Sequence, residues 1–107
     1  MSKRRIKEVT QLTSKTTSVE FSGYSAIIST VALTDASGGE FEFTINNDKI
    51  QKVSTIMLTP LYGGTTGYPV AIVKTQAKGT CLVKVKNVHA SGALNAILKL
   101  QFGLVHN

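Results

Sequence analysis

The stretch Glu40–Asn46, with the sequence EFEFTIN, decides the fold class of this chain. Its apolar residues Phe41, Phe43 and Ile45 alternate with polar ones, and a period of two residues places them on one face of a β-strand. The two glutamates of the stretch lie on the opposite face, which must contact water because carboxylates are not buried unpaired. The stretch therefore predicts a strand with one face in a core and the other in solvent.

Two later segments, residues 80–88 and 96–105, alternate in the same way. Each has apolar side chains at every second position and lysines or glutamine between them, so each predicts a strand with one buried face. The predicted inward residues of the two segments are Cys81, Val83, Val85, Leu98, Leu100, Phe102 and Leu104. Weaker strands are predicted at residues 9–13 and 19–21.

Three further runs, residues 24–33, 53–61 and 69–75, are apolar on both faces. Strands of this kind are covered on both sides, or meet a partner chain on one of them. In the first run, Ala26 and Ile28 lie on one face of the strand, and Ile27, Val31 and Leu33 lie on the other. In the second run, Met57 lies on the face opposite to Ile56 and Leu58. One sandwich interior cannot hold both sets, so we expect some of these side chains to meet a covering strand or another subunit.

Turn signals separate the predicted strands at short intervals. Glycine, asparagine and aspartate supply the positive φ values of tight turns, and they cluster at residues 35–39, 46–48, 62–67, 77–79 and 89–92. No segment shows the 3.6-residue period of a helix beyond a single turn after Asp48. Seven or eight such strands predict an all-β fold, namely an antiparallel β-sandwich of the jelly-roll or Greek-key kind.

Length and composition indicate one soluble domain. The chain has 107 residues, and 42% of them are hydrophobic, too many for a disordered chain. No apolar run approaches the ~20 residues of a membrane helix, and no apolar stretch follows the charged N-terminus as in a secretory signal. We expect a protein that is made in a cytoplasm and has no membrane partner, with an arm at residues 1–7 and one domain at residues 8–107.

The positive charge is concentrated at the N-terminus. The net charge is +6, and Lys3, Arg4, Arg5 and Lys7 are four of the twelve cations. Their mutual repulsion favours an extended arm. We predict that this arm contacts an acidic partner surface, with Ile6 as its apolar anchor, and becomes ordered when it binds. The charge of the domain itself is interpreted as solubility charge, so nucleic acid is disfavoured as a partner.

Residue types needed for catalysis or metal binding are sparse. Cys81 has apolar neighbours and is expected to be a buried hydrophobe. His89 is expected to be solvated or to cap a turn, and a single cysteine with His89 and His106 cannot complete a structural zinc site. Glu40 and Glu42 are interpreted as surface acids of a strand rather than a catalytic pair. We predict no enzymatic activity, no metal site and no cofactor.

Tyr62 and Tyr68 flank the glycine-rich residues 63–67. The four phenylalanines are predicted to lie in the core, so these two tyrosines are the expected exposed aromatic pair, which could serve as a platform for a glycan or a base. The glycine-rich segment lacks the Gly-Lys-Ser/Thr sequence and the helix that follow in a phosphate-binding loop. A hairpin loop is predicted instead.

The order of these pieces resembles a known class of virion proteins. The resemblance covers residues 8–105 and lies in residues 9–15 (VTQLTSK), 41–47 (FEFTINN), 79–89 (GTCLVKVKNVH), 93–96 (ALNA) and 98–102 (LKLQF). In this pattern the chain resembles small virion structural proteins of tailed bacteriophages, and most of all the short β-sandwich decoration, or cement, proteins of capsid exteriors.

The resemblance implies a homotrimer that straps adjacent subunits of the major capsid protein together on the outside of the virion, after assembly in the host cytoplasm. Similar sandwiches also serve as tail fibre or appendage modules, which leaves adhesion to a host glycan as the alternative. A nucleic-acid-binding β-barrel that uses the lysine-rich second half is a third, less favoured reading.

Overall fold

The computed structural model describes residues 7–105, which form eight β-strands in two four-stranded sheets. No helix occurs within these residues. The prediction of an all-β fold with seven or eight strands is confirmed. The strands are β1 (Lys7–Thr10), β2 (Val19–Glu20), β3 (Ser25–Ala32), β4 (Glu40–Asn46), β5 (Thr55–Tyr62), β6 (Pro69–Ala77), β7 (Thr80–Asn87) and β8 (Ile97–Val105).

Both sheets are mixed, so the prediction of a wholly antiparallel sandwich is wrong. The strand order is β1-β3-β8-β5 in the first sheet and β2-β4-β7-β6 in the second. β1 runs parallel to β3 and β2 runs parallel to β4, whereas the remaining pairs are antiparallel. The chain between β1 and β3 passes through β2 in the other sheet, and a crossover, unlike a tight hairpin, brings two strands together in parallel.

The first strand begins two residues before the strand predicted at residues 9–13 and one residue inside the predicted arm. We expected no strand before Glu8 and placed Lys7 in the arm, but β1 begins at Lys7. The side chain of Lys7 donates a hydrogen bond from Nζ to the carbonyl of Ser22 at 2.7 Å. Lys7 thus belongs to the folded domain, and the remainder of the predicted arm lies outside the described residues.

The core lies between the two sheets and contains the predicted inward residues. Phe41, Phe43 and Ile45 are buried, as are all seven predicted inward residues of β7 and β8. Across the interior, the rings of Phe21 and Phe102 meet edge to face with centroids 5.1 Å apart. Alternation alone therefore placed the core correctly wherever polar residues mark the opposite face.

The predicted orientation of Leu33 is wrong because of a register shift in β3. Leu33 was assigned to the same face as Ile27 and Val31, but it is buried with Ala26 and Ile28. The pairing of β3 with β8 shifts between Ser29 and Ala32, and a shift of this kind reverses which side chains point inward.

The hydroxyl of Thr30 makes two hydrogen bonds at the point where the pairing of β3 with β8 shifts. It accepts the N–H of Leu98 at 3.0 Å and donates to the carbonyl of Val31 at 2.7 Å, so the buried backbone groups at the shift keep partners.

We expect Phe43→Ala to lower the free energy of unfolding by about 3–5 kcal/mol, because the ring is fully buried and its removal leaves a cavity. The measurement is a denaturant titration followed by circular dichroism. Ile72→Ala is the matched control, since Ile72 is 56% exposed and should change stability by less than about 1 kcal/mol. Equal losses for the two variants would contradict the assigned strand faces.

Candidate functional site

The glycine-rich loop after β5 is held against the loop that connects β7 to β8. The hydroxyl of Tyr62 donates to the carbonyl of Thr66 at 2.8 Å and accepts the N–H of Asn95 at 2.6 Å. The side chain of Asn95 also pairs with Thr65, accepting its N–H at 3.0 Å and donating to its hydroxyl at 2.8 Å. Tyr62 is half-buried against the core, so the expected exposed pair of tyrosines reduces to Tyr68.

Two glycines allow this close contact between the loops. A Cβ on Gly64 would overlap the ring of Tyr62, and a Cβ on Gly92 would overlap the hydroxyl of Thr66. The glycines therefore serve loop packing. A β-strand rather than a helix follows the loop, but β5 and β6 lie in different sheets, so the prediction of a hairpin loop is wrong and the loop is a crossing between the sheets.

Tyr68 presents its side chain from a fixed backbone. Its N–H donates to Oδ1 of Asn87 at 3.0 Å, and its carbonyl accepts the N–H of Val88 at 2.9 Å. The side chain is 62% exposed, beside a shallow groove of about 300 Å³ that is lined by Pro60, Tyr62, Gly67, Tyr68 and Pro69. We call these five residues the tyrosine groove. A rigid aromatic ring beside an apolar groove suits a flat ligand with one apolar face.

The side chain of Asn87 joins the loops at the end of the sandwich where β7 ends. Its side chain is fully buried and uses its whole hydrogen-bonding capacity. Oδ1 accepts the N–H groups of Tyr68 and His89 at 3.0 and 3.1 Å, and Nδ2 donates to the carbonyls of Asp35 and Gly92 at 3.1 and 2.8 Å. One amide thus ties together three loops, and sequence reasoning had missed it.

Asn47 plays the corresponding role at the opposite end. It is 1% exposed, donates from Nδ2 to the carbonyl of Gly23 at 2.8 Å, and accepts the N–H of Lys49 at 3.0 Å through Oδ1. Asn47 and Asn87 both continue the inward alternation of their strands, β4 and β7. A polar residue at an inward position was the sequence signal that could have identified both.

Cys81 and His89 behave as expected from the sequence. Cys81 is buried, and burial raises the pKa of its thiol to about 11, so it is not the thiolate that a nucleophile requires. Nδ1 of His89 accepts the N–H groups of Ser91 and Gly92 at 3.1 and 2.7 Å, which caps the turn. Among residues 7–105, no three His, Cys, Asp or Glu side chains are grouped so that they could hold a metal ion.

The predicted arm contact is only partly within the described residues. Lys3, Arg4, Arg5 and Ile6 lie outside them, whereas Lys7 is exposed at the start of β1. Because Lys7 is anchored to Ser22, the chain enters the sandwich at a defined point of its surface. Residues 7–105 include no helix that is long and apolar enough to cross a membrane.

The outer face of the second sheet is charged, and most of its charges are paired. Lys74 lies 2.7 Å from Glu42, and Lys84 lies 3.0 Å from Glu40. The hydrogen bond from Lys84 lowers the pKa of Glu40, and the bond that Lys74 donates to Glu42 raises the pKa of Lys74. We call these four residues, together with Lys86, the charged face.

The outer face of the first sheet exposes four large apolar side chains among polar ones such as Thr59, Lys99 and Gln101. Met57 and Leu61 of β5 and Ile97 and Val105 of β8 are each about half exposed. The side chain of Met57 lies over Gly103 of β8, where a Cβ would come within 3.2 Å of the methyl group of Met57. We call these four exposed side chains the apolar face. Met57 was expected to point away from Ile56 and Leu58, and it does so.

We expect Asn87→Ala to lower the free energy of unfolding by about 3 kcal/mol, because the side chain's four hydrogen bonds to buried and partly buried backbone groups are lost together. The measurement is a denaturant titration of purified protein. Asn46→Ala is the matched control, since Asn46 is exposed on a strand of the same sheet and should change stability by less than about 0.5 kcal/mol. A loss below about 1 kcal/mol for Asn87→Ala would show that these loops hold together without the amide.

The described residues thus offer two surfaces that could bind a partner, the tyrosine groove and the apolar face. The residues named for the two surfaces include no carboxylate, imidazole or thiol. A comparison of this chain with models of protein families, with curated proteins and with solved structures finds no match. A function for the chain is therefore inferred from its own residues and geometry.

Proposed function

We propose that this chain is a non-enzymatic structural protein of a bacteriophage virion. It is a capsid decoration, or cement, protein that binds the outer capsid surface and stabilises contacts between subunits of the major capsid protein. The observation that carries this proposal is that the buried amides of Asn47 and Asn87 hold the loops at both ends of the sandwich. A protein that clamps its neighbours gains from such a scaffold, because ordering it on the capsid costs little entropy.

The proposal includes a homotrimer on the exterior of the virion, assembled in the host cytoplasm. Several contacts held by one oligomer multiply through effective concentration, so each contact with the capsid can be weak. Exposed apolar side chains on the described surface support an oligomer. A jelly-roll or Greek-key connectivity belongs to the same proposal. It is supported by the repeated crossing of the chain between the sheets, from β3 to β4, β4 to β5 and β5 to β6.

The basic N-terminal segment supplies the attraction to the capsid in this proposal. Lys3, Arg4 and Arg5 precede Lys7, which begins β1, so their charge is carried from a fixed point on the domain. Exposed charge pairs contribute only ~0–1 kcal/mol each, so the segment acts through several cations together. Ile6 adds one apolar contact.

We expect the purified protein to bind undecorated capsids of its own phage and to raise the temperature at which they rupture. Electron microscopy measures binding, and a fluorescent dye that reports released DNA measures rupture. Capsids that remain bare in the presence of excess protein would overturn the proposal.

Deleting residues 2–6, which spares Lys7 and therefore β1, tests the basic segment in the same assay. Binding of the deleted protein should be weaker than that of the full chain at low salt, and the difference should shrink as salt screens the charges. A substitution of Lys78, an exposed lysine in the turn between β6 and β7, is the control for loss of charge alone. Equal binding of the full and deleted chains at every salt concentration would assign attachment to the sandwich surface.

A second candidate function is favoured by the tyrosine groove. We propose, as the alternative, a tail fibre or appendage module that binds a host surface glycan, since sugar rings stack on exposed aromatic side chains such as Tyr68. In this case Tyr68→Ala should reduce binding to host cells or to a glycan array at least about tenfold. Tyr24→Ala is the control, because Tyr24 is 52% exposed but lies outside the groove. Equal effects of the two substitutions would remove the groove as a glycan site.

A further inference from the structure

The tyrosine groove lies along the seam where the edges of the two sheets meet. Pro60 and Tyr62 belong to β5, Pro69 begins β6, and Tyr68 directly precedes it; these strands are the neighbouring edges of the first and second sheets. None of residues 7–105 bonds to the hydroxyl of Tyr68, so this hydroxyl is available to a ligand. An exposed ring with an available hydroxyl can pack on a sugar ring and bond to one of its hydroxyls.

A second groove adjoins the first at the end of β5. It has a volume of about 410 Å³. Its lining residues are Leu61, Tyr62, Gly63, Ile97 and Lys99, which we call the lysine groove. Tyr62 lines both grooves, so a ligand longer than one ring can occupy the two together.

The ammonium group of Lys99 has no counter-ion of its own. Lys99 is exposed, and it makes no ion pair with any other of residues 7–105. Its partners on the neighbouring strands are Ser29 and Leu61, neither of which carries a charge. An unpaired cation beside an apolar groove favours a ligand that brings a negative charge to the same place.

The carboxylates of the described residues lie away from both grooves or are already paired. Glu8 belongs to β1, at the far edge of the first sheet from β5. Glu20 and Asp48 line a groove at the other end of the molecule, beside Asn47. Each remaining acid pairs with a lysine, and these acids are Asp35, Glu40 and Glu42. Both grooves are formed entirely within residues 49–107, a part of the chain with seven lysines and no acid.

We infer that the tyrosine groove and the lysine groove together bind an acidic saccharide, in which one sugar carries a carboxylate. A sugar ring packs on Tyr68, and the carboxylate accepts a hydrogen bond from Nζ of Lys99. This inference rests on the glycan-binding function proposed above as the second candidate, and it names the chemical class of the glycan.

Nucleic acid also combines flat rings with negative charge, but it fits these grooves less well. A single strand is held by several cations that follow its phosphates, whereas the two grooves contain one lysine. On the second sheet, Lys86 lies opposite Val70 of β6, but Glu40 of β4 lies on its other side and would repel a phosphate chain. One isolated cation matches the single carboxylate of an acidic sugar.

An array of sialylated and uronic-acid oligosaccharides tests the inference, with each printed beside its carboxyl-reduced form and with a single-stranded oligonucleotide. At low salt the wild type should bind the acidic forms about fivefold more tightly than the reduced ones, which is the ratio that one exposed ion pair can give. Lys99→Gln should bind both forms equally, and Lys99→Arg should keep the preference because it keeps the charge. Lys78→Gln is the matched control, since Lys78 is an exposed lysine in the turn between β6 and β7, and it should bind like the wild type.

Tyr68→Ala should weaken binding to the acidic and reduced forms by the same factor, because the ring packs on either. Equal binding of the two forms by the wild type, or a preference that Lys99→Gln retains, would overturn the inference and leave glycan binding in place. Tighter binding to the oligonucleotide than to any saccharide would overturn it in favour of nucleic acid. Absence of binding to every saccharide on the array would overturn it as well, whereas the glycan-binding function itself is decided by Tyr68→Ala on host cells.

Discussion

Loops that close the ends of a two-sheet sandwich take backbone N–H and C=O groups out of water, and every such group needs a partner. In this protein two side-chain amides meet much of that requirement. Asn87 provides two acceptor and two donor bonds to three loops at one end, and Asn47 bonds to Gly23 and Lys49 at the other. β4 and β7 are antiparallel neighbours, so their last inward positions lie at opposite ends and each end receives one asparagine.

The strands that could be predicted from the sequence are those in which polar residues mark the solvent face. Glu40 and Glu42 show which face of β4 contacts solvent, and the lysines of β7 and β8 show the same for those strands. The residues on the opposite faces could therefore be predicted to be buried, and they are. The same alternation reaches Asn47 and Asn87, but asparagine also favours turns, and that preference hid their buried role. Strand direction could not be predicted, because alternation shows which face is buried and not which strand lies beside it.

Two predictions failed in part, the exposure of Tyr62 and the face of Leu33, and both failures have their physical cause in contacts between distant residues. Tyr62 and Tyr68 flank the same loop and look equivalent in the sequence, but the hydroxyl of Tyr62 bonds to Asn95, which lies 33 residues away along the chain. Leu33 was assigned to the wrong face because the register shift in β3 depends on its pairing with β8. A one-residue shift leaves no trace in composition or periodicity, and yet it reverses every side chain after it.

The paired charges of the second sheet are best understood through specificity rather than stability. Lys74, Glu42, Lys84 and Glu40 are substantially exposed, and ion pairs of this kind contribute little to the free energy of folding. What they change is the cost of covering that face, because a partner would have to desolvate ions that already satisfy each other. The outward positions of β3, β5 and β8 carry one charge, Lys99, so covering them desolvates fewer ions. The two faces of the sandwich therefore differ in the cost of covering them, and the choice of a contact surface can depend on that difference.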